Sequence, residues 1–169
     1  MEPILVDAHL DIAHNALALG RDFTLPVTEI RRKEAAASPQ EHPIGTCMVS
    51  LRAMLEGRVA VAGGSIFVSP PGKAQRSDPN AYQRMHEHAV AQLDYYRRLA
   101  DEDARVVLLQ TGADLTQVLQ TWEAGGECLG MLMMMEGADP IREPGELEWW
   151  VARGLRGVSL TWQAGSRYA

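Results

Sequence analysis

Residues 128–136 read Cys-Leu-Gly-Met-Leu-Met-Met-Met-Glu, an uninterrupted apolar run that ends at a carboxylate. A strand that is apolar on both faces is typical of a parallel sheet covered by helices, because such a strand is buried on both sides. The run 59–68 has the same character and contains the pair Gly63-Gly64, where a backbone or a ligand can approach closely. The two runs predict a parallel α/β fold.

Segments of helical character separate these runs, so the chain alternates strand and helix. Parallel strands are predicted near residues 3–8, 59–68, 128–135 and 156–161. Helices are predicted near residues 81–101, 114–124 and 144–153. Crossovers of helix length imply right-handed connections between parallel strands. The four predicted strands are half of the eight in a (β/α)₈ barrel, which takes about 250 residues. The 169 residues of this chain are therefore expected to form half of such a barrel, as one partial domain spanning 1–169.

Composition excludes some classes of partner. Sixteen basic residues against 22 acidic ones give a net charge of −6, so no basic stripe is available for a nucleic-acid backbone. No apolar run has the length of a transmembrane helix, and the N-terminal one is too short for a signal peptide. The expectation is a cytoplasmic protein with neither nucleic-acid nor membrane partners.

Polar side chains follow the first and third long strands, at the ends where functional groups of parallel α/β folds gather. Asp7, His9 and Asp11 share one side if the chain stays extended. A solvent-facing edge explains this alternation, and so does a metal site, because imidazole and carboxylate both suit zinc. Glu136 either caps the next turn or joins His9 and Asp11 around a divalent metal, where a bridging carboxylate can hold two ions.

The remaining histidines are less suited to bind a metal ion. His86 and His88 lie two apart on a predicted helix, about 200° around its axis, so they cannot share an ion and are expected at the surface. His14 is expected to pack or cap at the helix after the first strand. His42, which precedes a proline, is expected in a solvated loop.

Three stretches carry a resemblance to a known family: VDAHLDIAHNALALGRD (6–22), MMMEGADPI (133–141) and LEWWVARGLRGVSLTWQAGSRYA (147–169). They resemble the membrane dipeptidase (renal dipeptidase) family of zinc peptidases, which belongs to the amidohydrolase superfamily of (β/α)₈ barrels. The match runs from Val6 to Ala169 and corresponds to the N-terminal half of a typical member.

The resemblance implies roles for particular residues. His9 and Asp11 match ligands of one zinc ion, and Glu136 matches the catalytic carboxylate that bridges both ions of the family site. Two histidines and an aspartate from later strands of the family have no counterpart here. Trp162 lies where animal members have a substrate-contacting histidine. Asp7, or a backbone carbonyl, is the candidate for orienting His9.

The function implied is hydrolysis of dipeptides through a metal-bridging water, with one or two zinc ions. Two alternatives stay open: a non-catalytic half-barrel used for binding or assembly, and a different amidohydrolase of the deaminase or lactonase type. A half-barrel leaves open sheet edges, which template further pairing. The chain alone is therefore expected to self-associate or to require a missing C-terminal half, and to be inactive without it.

Overall fold

Five parallel strands form one sheet in the computed structural model, which describes residues 3–36, 45–69, 78, 80–163 and 165–169. The strands are β1 (Leu5–Leu10), β2 (Val59–Phe67), β3 (Val106–Leu108), β4 (Leu129–Glu136) and β5 (Leu155–Ser159). The helices are α1 (Ile12–Leu19), α2 (Val27–Ala36), α3 (Leu51–Glu56), α4 (Ala81–Glu102), α5 (Gly112–Glu123) and α6 (Leu147–Ala152). A 3₁₀ turn, Pro144–Glu146, leads into α6.

The strand order explains where the sheet is buried. β1 pairs with β2, and β2 pairs with β4 in unbroken register from Val61 opposite Gly130 to Phe67 opposite Glu136. The other side of β4 pairs with β3 along its first residues and with β5 along its last ones. Every pairing is parallel, so the predicted α/β fold is confirmed. Strands β1, β2, β4 and β5 are successive neighbours, consistent with half a barrel, and β3 lies beside the first residues of β4.

Burial along β4 alternates over its second half, although its uninterrupted apolar sequence predicts burial on both faces. Met131, Met133 and Met135 are at most 1% exposed and belong to the main hydrophobic core, together with Leu93 and Trp150 of the helices. The intervening residues of β4, including Glu136, are partly exposed. Three methionines of the run, Met131, Met133 and Met135, are therefore core, as expected, whereas Met134 is partly exposed, as is Glu136 at the strand end.

The glycine pair on β2 allows neighbouring elements of the protein to pack closely against this strand. A Cβ on Gly63 would lie 2.3 Å from the carbonyl oxygen of Ala8, so a side chain there would push β1 away. A Cβ on Gly64 would lie 3.0 Å from the ring of Tyr96. The pair thus lets β1 and α4 approach β2 closely. This favours close approach of the protein itself over close approach of a ligand, the two explanations that the sequence left open.

Two helix boundaries differ from the predicted ones for local reasons. α5 begins at Gly112 because Thr111 and Asp114 form a reciprocal capping box, in which the Asp114 carboxylate accepts the Thr111 N–H at 2.7 Å. α6 begins only at Leu147 because Pro144 opens a 3₁₀ turn first. Within the described ranges, no helix combines the length and the apolar character needed to cross a membrane.

Candidate metal centre

The end of β1 is less regular than its sequence pattern suggests. The pairing with β2 shifts register between Leu5 and Val6 and again between Asp7 and Leu10, so strict alternation of side chains does not hold along the strand. Within the second irregularity, the Asp7 carboxylate accepts the backbone N–H of His9 at 3.1 Å. The Asp7 carboxylate thus stabilises the local backbone that carries His9, whose own side chain is half exposed.

Asp11 occupies the N-cap position of α1 but does not cap it. An N-cap aspartate ordinarily accepts a hydrogen bond from the second or third backbone N–H of its helix. Asp11 makes no such bond, and its Oδ1 atom is buried without a hydrogen-bond partner. A buried carboxylate oxygen without a donor is costly unless a cation satisfies it.

Glu136 is held at the carboxyl end of β4. It lies opposite Phe67 on β2 and Ser159 on β5, and its side chain is one-quarter exposed. The next backbone N–H, that of Gly137, donates to the Ser159 hydroxyl at 3.0 Å. Because a neighbouring strand satisfies this N–H, the Glu136 carboxylate is not needed there and faces His9 instead.

These three side chains converge. His9 Nε2 lies 3.6 Å from Asp11 Oδ1 and 3.3 Å from Glu136 Oε2, and one ligand atom from each residue lies within 4.8 Å of the others. Ligands bound to one zinc ion at about 2.0–2.2 Å are separated by about 3–3.5 Å. Imidazole nitrogen, two carboxylate oxygens and the unsatisfied Asp11 Oδ1 make this set chemically suited to a divalent cation.

A buried tyrosine supports the strand ends from α4. The Tyr96 hydroxyl donates to the carbonyl of Ser65 at 2.9 Å and accepts the N–H of Ala13 at 3.2 Å. Burial raises the pKa of Tyr96 above its ordinary value of 10, farther from neutral pH. Sequence reasoning missed this residue, because helical spacing marks Tyr96 only as one apolar position of α4 and says nothing of its hydroxyl.

Aromatic rings line the neighbouring strand end. The Phe67 ring contacts the rings of Trp162 and His14, with centroid distances of 5.1 and 5.2 Å. The buried Gln92 of α4 holds the Phe67 backbone through two hydrogen bonds, at 2.9 and 2.5 Å. Trp162 therefore lies beside the strand position opposite Glu136, while His14 packs against Phe67, consistent with its expected packing role.

His86 is not the surface residue that its helix position suggests. Its side chain is only 12% exposed, and Nδ1 lies 3.1 Å from the carbonyl oxygen of Pro140, to which it donates. The ring also packs against Trp149 and Trp150. The expectation was wrong because α6 and the loop after β4 cover this face of α4. His88 is exposed, as expected, and His42 lies outside the described residues.

Two of the stretches that carry the resemblance contact each other. The buried Asp139 accepts the backbone N–H of Arg167 at 2.9 Å, and the Arg167 guanidinium donates to the Asp139 carbonyl at 2.5 Å. The same guanidinium stacks over the Tyr82 ring at 3.8 Å, and the Tyr168 hydroxyl donates to the carbonyl of Ile141. These contacts hold the chain after β5 against the loop that follows Glu136.

Solved structures show where this architecture occurs. The probable dipeptidase PvdM from Pseudomonas aeruginosa superposes with a TM-score of 0.56 at 20% sequence identity, over 70% of this chain and 29% of its own. The dipeptidase AC, a metallopeptidase of family M19, superposes with a TM-score of 0.61 at 20% identity, over 94% of this chain and 44% of its own. The present chain thus spans less than half the length of either protein.

Comparison at the level of families is more specific than these structural likenesses. No functionally curated protein matches the sequence. The model of the membrane dipeptidase family, peptidase family M19, matches residues 1–169, which is the whole chain. The chain therefore belongs to the membrane dipeptidase family.

Proposed function

We propose that the protein is a zinc-dependent hydrolase that cleaves the peptide bond of dipeptides, with His9, Asp11 and Glu136 as metal ligands. The observation that carries the proposal is the convergence of these three side chains within 4.8 Å at the ends of parallel strands. Family membership supports the reaction class, since the family and both solved relatives are described as dipeptidases.

Each of the three side chains has a proposed role at the metal ion. His9 presents Nε2, Asp11 presents Oδ1, and Glu136 presents Oε2 toward His9. The second oxygen of Glu136 is then available for a second ion or for the proton of the attacking water, which makes Glu136 the proposed catalytic carboxylate. When bound, a divalent metal supplies an acidified water and polarises the scissile carbonyl. Asp7 positions His9 through its backbone N–H.

Trp162 is the proposed substrate contact. It lies against Phe67, which pairs with Glu136 across β2 and β4, so the two rings form an apolar wall next to the ligand set. A side chain of a dipeptide whose peptide bond faces Glu136 would contact this wall, and burial of apolar surface would favour its binding.

Metal binding and hydrolysis test the proposal together. The variants His9→Ala and Glu136→Gln should weaken Zn²⁺ binding by more than about 100-fold, because loss of even an outer-shell partner costs about 10–100-fold. Matched controls are His88→Ala and Glu123→Gln, which make the same changes at exposed positions on α4 and α5. Calorimetric titration with Zn²⁺ and assays on a dipeptide panel give the two measurements.

The outcomes separate the alternatives. Equal Zn²⁺ affinity in His9→Ala and His88→Ala would contradict the metal site. Zinc binding without hydrolysis is expected both of a binding or assembly protein and of a chain that requires a C-terminal half for activity, so hydrolysis of a dipeptide is the result that separates the two. Turnover of cyclic amides in place of dipeptides would favour another amidohydrolase.

We further propose that the outer edge of β1 pairs with a second copy of the chain. Among the described residues, β1 pairs only with β2, and its Leu5 and Val6 side chains are 55% and 68% exposed. An open edge with exposed apolar side chains templates association. Sedimentation velocity should show oligomers that Val6→Lys dissociates, and a stable wild-type monomer would contradict this association.

A further inference from the structure

The start of α1 lacks the cap that its own sequence offers. Asp11 occupies the N-cap position, yet its carboxylate makes no capping hydrogen bond and its Oδ1 atom is buried without a partner. Aspartate is among the strongest N-cap residues, so a capping bond is the ordinary expectation for this side chain. The carboxylate lies instead beside His9, at 3.6 Å from Nε2.

The missing acceptor comes from α4. The second backbone N–H of α1, that of Ala13, donates to the Tyr96 hydroxyl at 3.2 Å, which is the bond an N-cap side chain would normally make. The hydroxyl donates in turn to the carbonyl of Ser65 on β2 and lies 3.4 Å from the carbonyl of Leu10. It thereby joins the end of β1, the start of α1 and β2.

Tyr96 has little freedom to leave this position. Its side chain is 0% exposed, and its ring packs over Gly64, where a Cβ would come within 3.0 Å of it. A rigid ring holds the hydroxyl at one point, and the two hydrogen bonds define its orientation. The Ala13 N–H therefore has its acceptor in the Tyr96 hydroxyl and does not need the Asp11 carboxylate.

We propose that Tyr96 is a positioning residue, whose hydroxyl caps α1 in place of Asp11 and thereby leaves the Asp11 carboxylate free to bind a metal ion beside His9. This inference rests on the proposed metal site. Without the hydroxyl, the buried N–H of Ala13 loses its acceptor, and a buried N–H without an acceptor is unfavourable. The neighbouring Asp11 carboxylate would then turn toward the helix and away from His9.

The first test measures metal affinity in the variant Tyr96→Phe, which removes the hydroxyl and keeps the ring. Titration with Zn²⁺ alone should show affinity about 10–100-fold below wild type, as is usual for lost outer-shell partners. Tyr95→Phe is the matched control, because it makes the same change one residue earlier on α4, near the Phe23 backbone, and should bind within about twofold of wild type. Wild-type affinity in Tyr96→Phe would overturn the proposal.

The second test needs no metal. In the metal-free variant Asp11→Ala, Tyr96 still caps α1, so hydrogen exchange at the Ala13 amide should stay within about twofold of wild type. If Asp11 were the true cap, its loss would speed this exchange about fivefold or more, and that result would overturn the proposal. If wild-type protein binds no Zn²⁺, the proposed metal site fails, and exchange at the Ala13 amide still decides the capping role: faster exchange in Tyr96→Phe but not in Asp11→Ala would support Tyr96 as the cap, and unchanged exchange in Tyr96→Phe would overturn it.

Discussion

The three side chains of the candidate metal centre lie in or directly after two strands with opposite surroundings: His9 and Asp11 at the end of β1, and Glu136 at the end of β4. β4 lies between β2 on one side and β3 and β5 on the other, and its buried methionines are at most 1% exposed. β1 has one neighbour among the described strands, its register shifts twice, and its Leu5 and Val6 are more than half exposed.

The difference shows that the two halves of the site are positioned in different ways. Glu136 is placed by a regular buried strand, whose unbroken register with β2 continues to the last residue. His9 and Asp11 depend on groups that lie outside the ladder of β1: the Asp7 carboxylate on the backbone of His9, and the Tyr96 hydroxyl at the start of α1. We expect mutations of the buried apolar residues of β4 to act on folding and mutations around the end of β1 to act on the candidate metal centre.

The largest contrast should come from one chemical change made in each strand. Leu129→Ala, at a position in β4 that is 0% exposed, should lower the free energy of unfolding by about 2–5 kcal/mol, because it removes buried contacts and leaves a cavity. Leu5→Ala in β1, where the side chain is 55% exposed, should change it by less than about 0.5 kcal/mol. Urea unfolding measures both, and equal losses would remove the contrast between the strands.

A smaller effect is expected where β1 meets β2. Gly63→Ala should cost about 1–3 kcal/mol, because the new methyl group would lie 2.3 Å from the Ala8 carbonyl oxygen, which is backbone and cannot turn aside. The displacement of β1 should also weaken Zn²⁺ binding through His9. Gly112→Ala is the control, since no atom lies within 4 Å of a Cβ there and α5 should gain slight stability. An unchanged free energy of unfolding in Gly63→Ala would mean that β1 is not held closely to β2.

The smallest effect is expected at the start of α5, the helix before β4, which has the side-chain cap from its own first turn that α1 lacks. Hydrogen bonds from the backbone N–H groups of Thr111 and Gln110 hold the pKa of Asp114 below its ordinary value of 3.8. The stability from this carboxylate is therefore complete above that value and is lost as the pH falls through the lower folded pKa. Asp114→Asn should reduce the acid-induced loss of stability, measured as unfolding midpoints at pH 7 and pH 3. An unchanged acid dependence would contradict the role of this cap.

The apolar runs, the strand–helix alternation and the position of Glu136 were predictable from the sequence alone. An uninterrupted apolar strand is typical of a parallel sheet, so residues 128–136 indicated such a sheet without any knowledge of neighbours, although Leu132 and Met134 prove to be partly exposed. The carboxyl ends of parallel strands meet at one edge, which is why His9, Asp11 and Glu136 could be proposed as one group before their distances were known.

Only the tertiary structure decided how that group is supported. The register shifts of β1 interrupt the alternation that its sequence suggests, and the packing of α6 against α4 buries His86 beside Trp150. The hydroxyl of Tyr96 reaches Ala13, 83 residues earlier in the chain, and relieves Asp11 of the capping role that its position implies. The periodicity of a sequence indicates which side of a helix or strand faces the core. It does not indicate which distant atom forms a hydrogen bond with that element, because the packing of whole elements against one another determines that partner.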